Sequence, residues 1–138
     1  IEGATVPESQ DIGIQNGWHQ PDFDDSSWRT VATWSKTLDA QGIQDKPTVM
    51  WYRTSFQVPE QHGKLTLFFS EIDGIAEVYI NGQRAYSQPV WRLSFGIDAT
   101  PNVRAGANVI SIKVDHTVLT DFGLGGIVGP VLLIDRSG

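Results

Sequence analysis

The chain has 138 residues, ten Lys and Arg against 16 Asp and Glu, 14 glycines, seven prolines and no cysteine. That length suits one domain able to bury roughly 70% of its unfolded surface, held by packing alone, because disulfides, thiolate metal sites and a cysteine nucleophile are excluded. The formal net charge of -6 with scattered cations argues against nucleic acid, and no apolar run is long enough to span a bilayer as a helix.

Residues 1–48 hold few alternating runs and many Gly, Pro, Asp, Ser and Gln, which predicts a mostly irregular segment with at most one short helical turn, wrapped over the rest. Its start, Ile1-Glu2-Gly3-Ala4-Thr5, shows no signal-peptide pattern. Within it, Asp22-Phe23-Asp24-Asp25-Ser26-Ser27-Trp28 has acidic spacing but not that of an EF-hand, since the sixth position is Ser27 and the twelfth is Thr33. A turn capped by Asp24 or Asp25, with the Trp28 indole packed on the domain, explains it better.

Downstream, β-branched and aromatic residues alternate with a period of two. Tyr52, Phe56 and Val58 form one such set, followed by Leu65, Leu67 and Phe69, then Ala76, Val78 and Ile80, and later Ile110, Ile112 and Val114. Trp51-Tyr52-Arg53 therefore lies in a strand and alternates between core and outer surface, and Arg53 calls for a carboxylate partner, Asp24 or Asp25. Asn81-Gly82 predicts a type I′ hairpin between 75–80 and 83–86. Gly106 supplies a left-handed residue to the turn at 104–108. The last run, Val131-Leu132-Leu133-Ile134, is apolar on both faces and reads as central or covered. Two antiparallel sheets packed face to face, an all-β sandwich, accommodate this pattern in a single domain spanning 1–138.

Reactive constellations are thin. Gly123 to Gly129 fails as a dinucleotide loop because its third glycine position is Val128. His19, His62 and His116 are far apart, and a carboxylate pair would have to come from Glu71 and Asp73 or from Asp115 and Asp121. A non-catalytic domain is the reading these residues support.

Sugar recognition needs a flat aromatic and hydrogen-bonding groups around it. Of the five tryptophans, Trp18, Trp28 and Trp51 lie in scaffold patterns, whereas Trp34 and Trp91 stand in turn-rich polar stretches. These two are the stacking candidates, with closure of the core as the alternative for each. Lys36, Gln41, Glu71, Asp73, Arg92, Asp115, His116 and Asp121 fall in the connections around them and complete the candidate ligand set.

The succession Gly17-Trp18, Pro21 to Trp28, Trp51-Tyr52-Arg53 with Pro59, 76–82 ending in Asn81-Gly82, Phe95-Gly96-Ile97-Asp98, Gly106 to Ile110, and Gly125-Gly126-Ile127 before Pro130-Val131 resembles the N-terminal sugar-binding jelly roll of family 2 glycoside hydrolases and related galactose-binding-domain-like carbohydrate-binding modules. The resemblance implies a jelly-roll fold, an oligo- or polysaccharide partner and a catalytic domain on the same full-length chain. It further implies a secreted, periplasmic or cell-surface setting. The function it points to is a carbohydrate-binding module that targets an attached enzyme to its glycan, or a structural accessory domain without sugar affinity of its own. No cofactor is expected. Related modules often hold a structural calcium, for which this sequence shows no matching ligand set.

Overall fold

The computed structural model describes residues 2–8, 12–33, 39–43, 48–87, 94–117 and 126–136, with the side chains of 2–8, 39 and 48 left out. Its centre is the antiparallel pair β3 (Thr48–Val58) and β9 (Gly106–His116), eleven residues each and matched from Thr48↔His116 to Val58↔Gly106. Around it β1 (Glu2–Glu8), β2 (Arg29–Ala32), β6 (Ile75–Ile80) and β7 (Gln83–Ser87) complete a six-stranded sheet in the order β2-β1-β3-β9-β6-β7. A three-stranded sheet, β11 (Val131–Asp135), β4 (Leu65–Phe69) and β8 (Phe95–Asp98), packs against it. A short pair joins β5 (Ile72–Asp73), between β4 and β6 in the chain, to β10 (Gly126–Ile127), between β9 and β11. The fold is an all-β sandwich.

The period-two residues face one another across the sandwich. Tyr52, Ile110, Ile112, Val114, Val78 and Ile80 from the large sheet meet Leu65, Leu67, Phe69, Phe95 and Ile97 from the small one. Each such side chain, fully enclosed, contributes about 1.5–3 kcal/mol. The 81–82 turn has Asn81 at φ 52° and Gly82 at φ 83°, the doubly left-handed turn expected there. Gly106 is likewise left-handed, at φ 87°.

The segment 1–48 holds more than one short helical turn: β1 and β2 extend the large sheet, and residues 12–28 between them wrap its outer face. Four- and seven-residue strands carry little periodicity of their own, and β1 forms because β3 offers it a ladder edge. Trp51, Tyr52 and Arg53 alternate as expected, Tyr52 into the sandwich core and Trp51 and Arg53 onto the outer face, but that face is covered and all three are buried. The wrapping segment covers the outer face of β3, so Val49, Trp51 and Tyr79 build a second small core with Trp18 and Trp28. Finally, β11 is an edge strand rather than a central or covered one, with Leu132, Leu133 and Ile134 exposed to 47%, 36% and 37%.

Gly126 shows why the glycines before β11 matter. It sits at φ 76°, and a Cβ there would overlap the Tyr52 hydroxyl, which accepts the Ile127 N–H at 3.3 Å. Burial pushes the Tyr52 phenol from 10.0 up to about 12, against that hydrogen bond. Above pH 10 the unfolded chain therefore releases a proton that the folded chain keeps, and stability falls by about 1.4 kcal/mol per pH unit as pH rises from 10 towards 12. Urea unfolding on either side of pH 10 should show this slope in the wild type and its loss in Tyr52→Phe, which also costs about 1–3 kcal/mol at neutral pH by leaving the Ile127 N–H without its acceptor.

Candidate functional site

The outer face of the large sheet is organised by one buried cation. Arg53 is 3% exposed, and its Nε donates to Asp25 Oδ2 at 2.9 Å. Its Nη1 donates to the carbonyls of Trp18 and Gln20 at 2.7 and 2.9 Å and to Ser111 Oγ at 3.0 Å, and Nη2 reaches the Phe23 carbonyl at 3.3 Å. The guanidinium also lies 5.3 Å from the Phe23 ring centroid. Asp25 is thus the carboxylate that Arg53 requires, while Asp24 caps the turn by accepting the Ser26 N–H at 3.0 Å. The Ser26 hydroxyl first, and its N–H second, hold the Asp24 carboxyl below the usual range.

Beside Arg53 the wrapping segment leaves an open cleft of about 470 Å³. Trp28 and Phe23 wall it, Asp25 enters it, and Thr30 and Ser55 bring hydroxyls from β2 and β3. The residue pattern places Trp28 in the scaffold and does not reveal this cleft, because its walls come from three separate stretches, 21–30, 53–55 and Val109, that only the fold brings together. The one available signal was the Arg53–Asp25 pairing.

The residues expected to bind sugar fall mainly elsewhere. The connections 70–74, 88–94 and 117–125 start or finish on strand ends at a single end of the sandwich, where Thr48 pairs with His116, Asp115 with Ile75, and Asp73 with Gly126. Asp73 and His116 are buried there, with Asp73 Oδ2 3.4 Å from His116 Nε2. Asp115 Oδ1 accepts the N–H and the hydroxyl of Thr117, at 2.9 and 2.6 Å, closing the turn after β9. Glu71 is exposed, and its carbonyl receives the Val128 and Gly129 N–H groups. Gln41 stands apart at the β2 edge, where its amide exchanges two hydrogen bonds with the Ala32 backbone, at 2.7 and 2.9 Å. Trp34, Lys36, Trp91, Arg92 and Asp121 lie outside the described residues.

Among the described residues no group of three or more His, Asp or Glu is placed to hold a metal ion. Asp24 and Asp25, the most acidic stretch, are engaged by Ser26 and Arg53, so those carboxylates do not fit a calcium site.

Residues 2–135 match the family model of the sugar binding domain of glycosyl hydrolases family 2. A β-glucuronidase of Formosa agariphila is 28% identical over 110 residues, 68% of this chain and 11% of its own length. A β-galactosidase of Thermoanaerobacter pseudethanolicus is 29% identical over 108 residues, 72% of this chain and 14% of its own. A β-glycosidase structure from Bacteroides vulgatus superposes with a TM-score of 0.71 at 25% identity, over 97% of this chain and 19% of that one. An Amycolatopsis orientalis exo-chitosanase, at 22% identity, shares the fold with a TM-score of 0.75 over 98% of this chain and 20% of its own. The chain spans 11–15% of the length of such curated relatives.

Arg53→Ala should destabilise the domain by about 3–5 kcal/mol, because it strands Asp25 and several carbonyls at once. Arg53→Lys should rescue little of that, since an ammonium cannot serve the same fork of acceptors. Asp25→Asn keeps an acceptor for Nε but leaves the enclosed guanidinium without its counter-charge, and should cost about 3 kcal/mol, less than Arg53→Ala because the carbonyl acceptors remain paired. Chemical denaturation of the three variants checks this ranking.

Proposed function

Since the chain belongs to the family 2 glycosyl hydrolase sugar-binding domains, we propose that it is a non-catalytic carbohydrate-binding module that holds an attached polysaccharide-degrading enzyme on its glycan. The observation that carries this reading is that the strands flanking 70–74, 88–94 and 117–125 all stop at one end of the sandwich. Loops grouped at the end of a rigid sheet scaffold are where such domains build recognition surfaces. Two of these loops contain Trp91, Arg92 and Asp121, and a third contains Glu71 and Asp73.

Weak binding at each site suffices, because tethering raises the local concentration of substrate seen by the catalytic domain on the same full-length chain. A polymeric glycan is too large to enter a cell intact, so the reading carries with it a secreted, periplasmic or cell-surface setting. In affinity gels the 138-residue chain should be retarded by its cognate polysaccharide. Trp34→Ala or Trp91→Ala should abolish the retardation without lowering the unfolding midpoint. Unchanged retardation in both variants overturns the proposed platform.

The exposed edge strand favours a second reading, a structural accessory domain. Leu132 and Ile134 pair with Phe68 and Thr66 of β4, so an apolar strip runs along the outer face of the small sheet. In the accessory role this strip packs on another part of a longer glycosidase. Leu132→Ser with Ile134→Ser would then leave the isolated domain as stable as before and lower the unfolding temperature of the full-length enzyme. Glycan binding by the isolated domain at millimolar ligand argues against this role.

A further inference from the structure

We propose that the cleft beside Trp28 is a separate binding subsite for a neutral pyranose, on the outer face of the large sheet and away from the loop-bearing end. The inference rests on the carbohydrate reading above but not on the loops that serve it. At about 470 Å³ the cleft falls within the size range of small-ligand sites, roughly 300–1,000 Å³.

Its aromatic wall is set in advance. The Trp28 indole is half-buried, braced edge-on by Trp18 with centroids 5.5 Å apart at 85°, and tilted against Phe23 at 5.5 Å and 56°. A ring held on two sides loses little freedom when a sugar stacks on it. Its polar groups are also in place. Thr30 and Ser55 make no hydrogen bond through their hydroxyls among the described residues, and both line the cleft from the outer face. Asp25 has Oδ2 pinned by Arg53 Nε, which fixes the carboxylate and leaves Oδ1 to accept from a ligand hydroxyl. Because β1 runs between β2 and β3, Thr30 and the Arg53–Ser55 edge stand two strand spacings apart, about 10 Å.

The charge selects the ligand class. Arg53 compensates Asp25 but is itself enclosed, with its Nε and Nη1 donors committed, so the charged group most open to the cleft is a half-exposed carboxylate on a chain of net charge -6. An anionic sugar meets that carboxylate head-on, whereas a neutral pyranose offers its hydroxyls as donors to it and its apolar face to the indole.

Titration of the uniformly ¹⁵N-labelled chain with methyl β-D-glucopyranoside into the tens-of-millimolar range tests this by NMR. The Trp28 indole N–H and the amides of 25–30 and 54–55 should shift saturably. Methyl β-D-glucuronide should bind this site at least tenfold more weakly. Ser55→Phe, which fills the cleft from an exposed strand position, should abolish the shifts with an unchanged unfolding midpoint, and Trp34→Ala with Trp91→Ala should leave them intact. Absence of saturable shifts at Trp28, persistence of them in Ser55→Phe, or equal affinity for the glucuronide overturns the inference. If affinity gels still retard the chain while Trp28 stays silent, this subsite fails and the loop-end reading stands; shifts at Trp28 without loss of retardation in the loop variants have the opposite meaning.

Discussion

The guanidinium of Arg53 sits where the sheet and its wrapping segment have to be joined, and nothing else described in the molecule could make that joint. Carbonyls of Trp18, Gln20 and Phe23 converge on it, together with Asp25 from the segment and Ser111 from the neighbouring strand. A chain turning over a sheet face without forming a strand leaves backbone carbonyls unpaired, and burying them is costly. A planar cation with donors on three nitrogens meets several of them together while its charge is balanced by a single carboxylate. With the segment fixed, Trp18 and Trp28 can cover Trp51 and Tyr79, which would otherwise be large apolar groups on a solvent-facing sheet.

This arrangement separates the domain into surfaces with different histories. The inner face is an ordinary sandwich core, the outer face of the large sheet is a second core under a cover, and the loop-bearing end gathers polar side chains such as the Asp73–His116 pair. The outer face of the small sheet is different again, since β11 keeps its leucines and isoleucine partly exposed. The Trp28 cleft and the exposed apolar strip of β11 lie on different sheets.

Much of the scaffold was legible in the residues. The alternations at 65–69, 76–80 and 110–114 mark strands because a period of two can satisfy only a sheet with one face buried, and Asn81-Gly82 marks a hairpin because few other dipeptides tolerate left-handed backbone twice. The Arg53 pairing was legible too, as a demand that a cation in a buried strand imposes on nearby carboxylates. Beyond this, Trp34, Trp91, Arg92, Lys36 and Asp121 remain legible only as composition, aromatic and polar groups in turn-rich stretches.

The sequence by itself determined the all-β class, the core faces of the central strands and the need for a counter-charge at Arg53, since each follows from local periodicity or from the cost of burying a particular group. Only the tertiary structure decided that β1 and β2 join the large sheet, that β11 lies at an edge, and that Trp28, Asp25 and the hydroxyls of β2 and β3 enclose one cleft. Those outcomes depend on which strand edge is free to pair and on which segments the register brings side by side, and neither quantity is carried by any window of neighbouring residues.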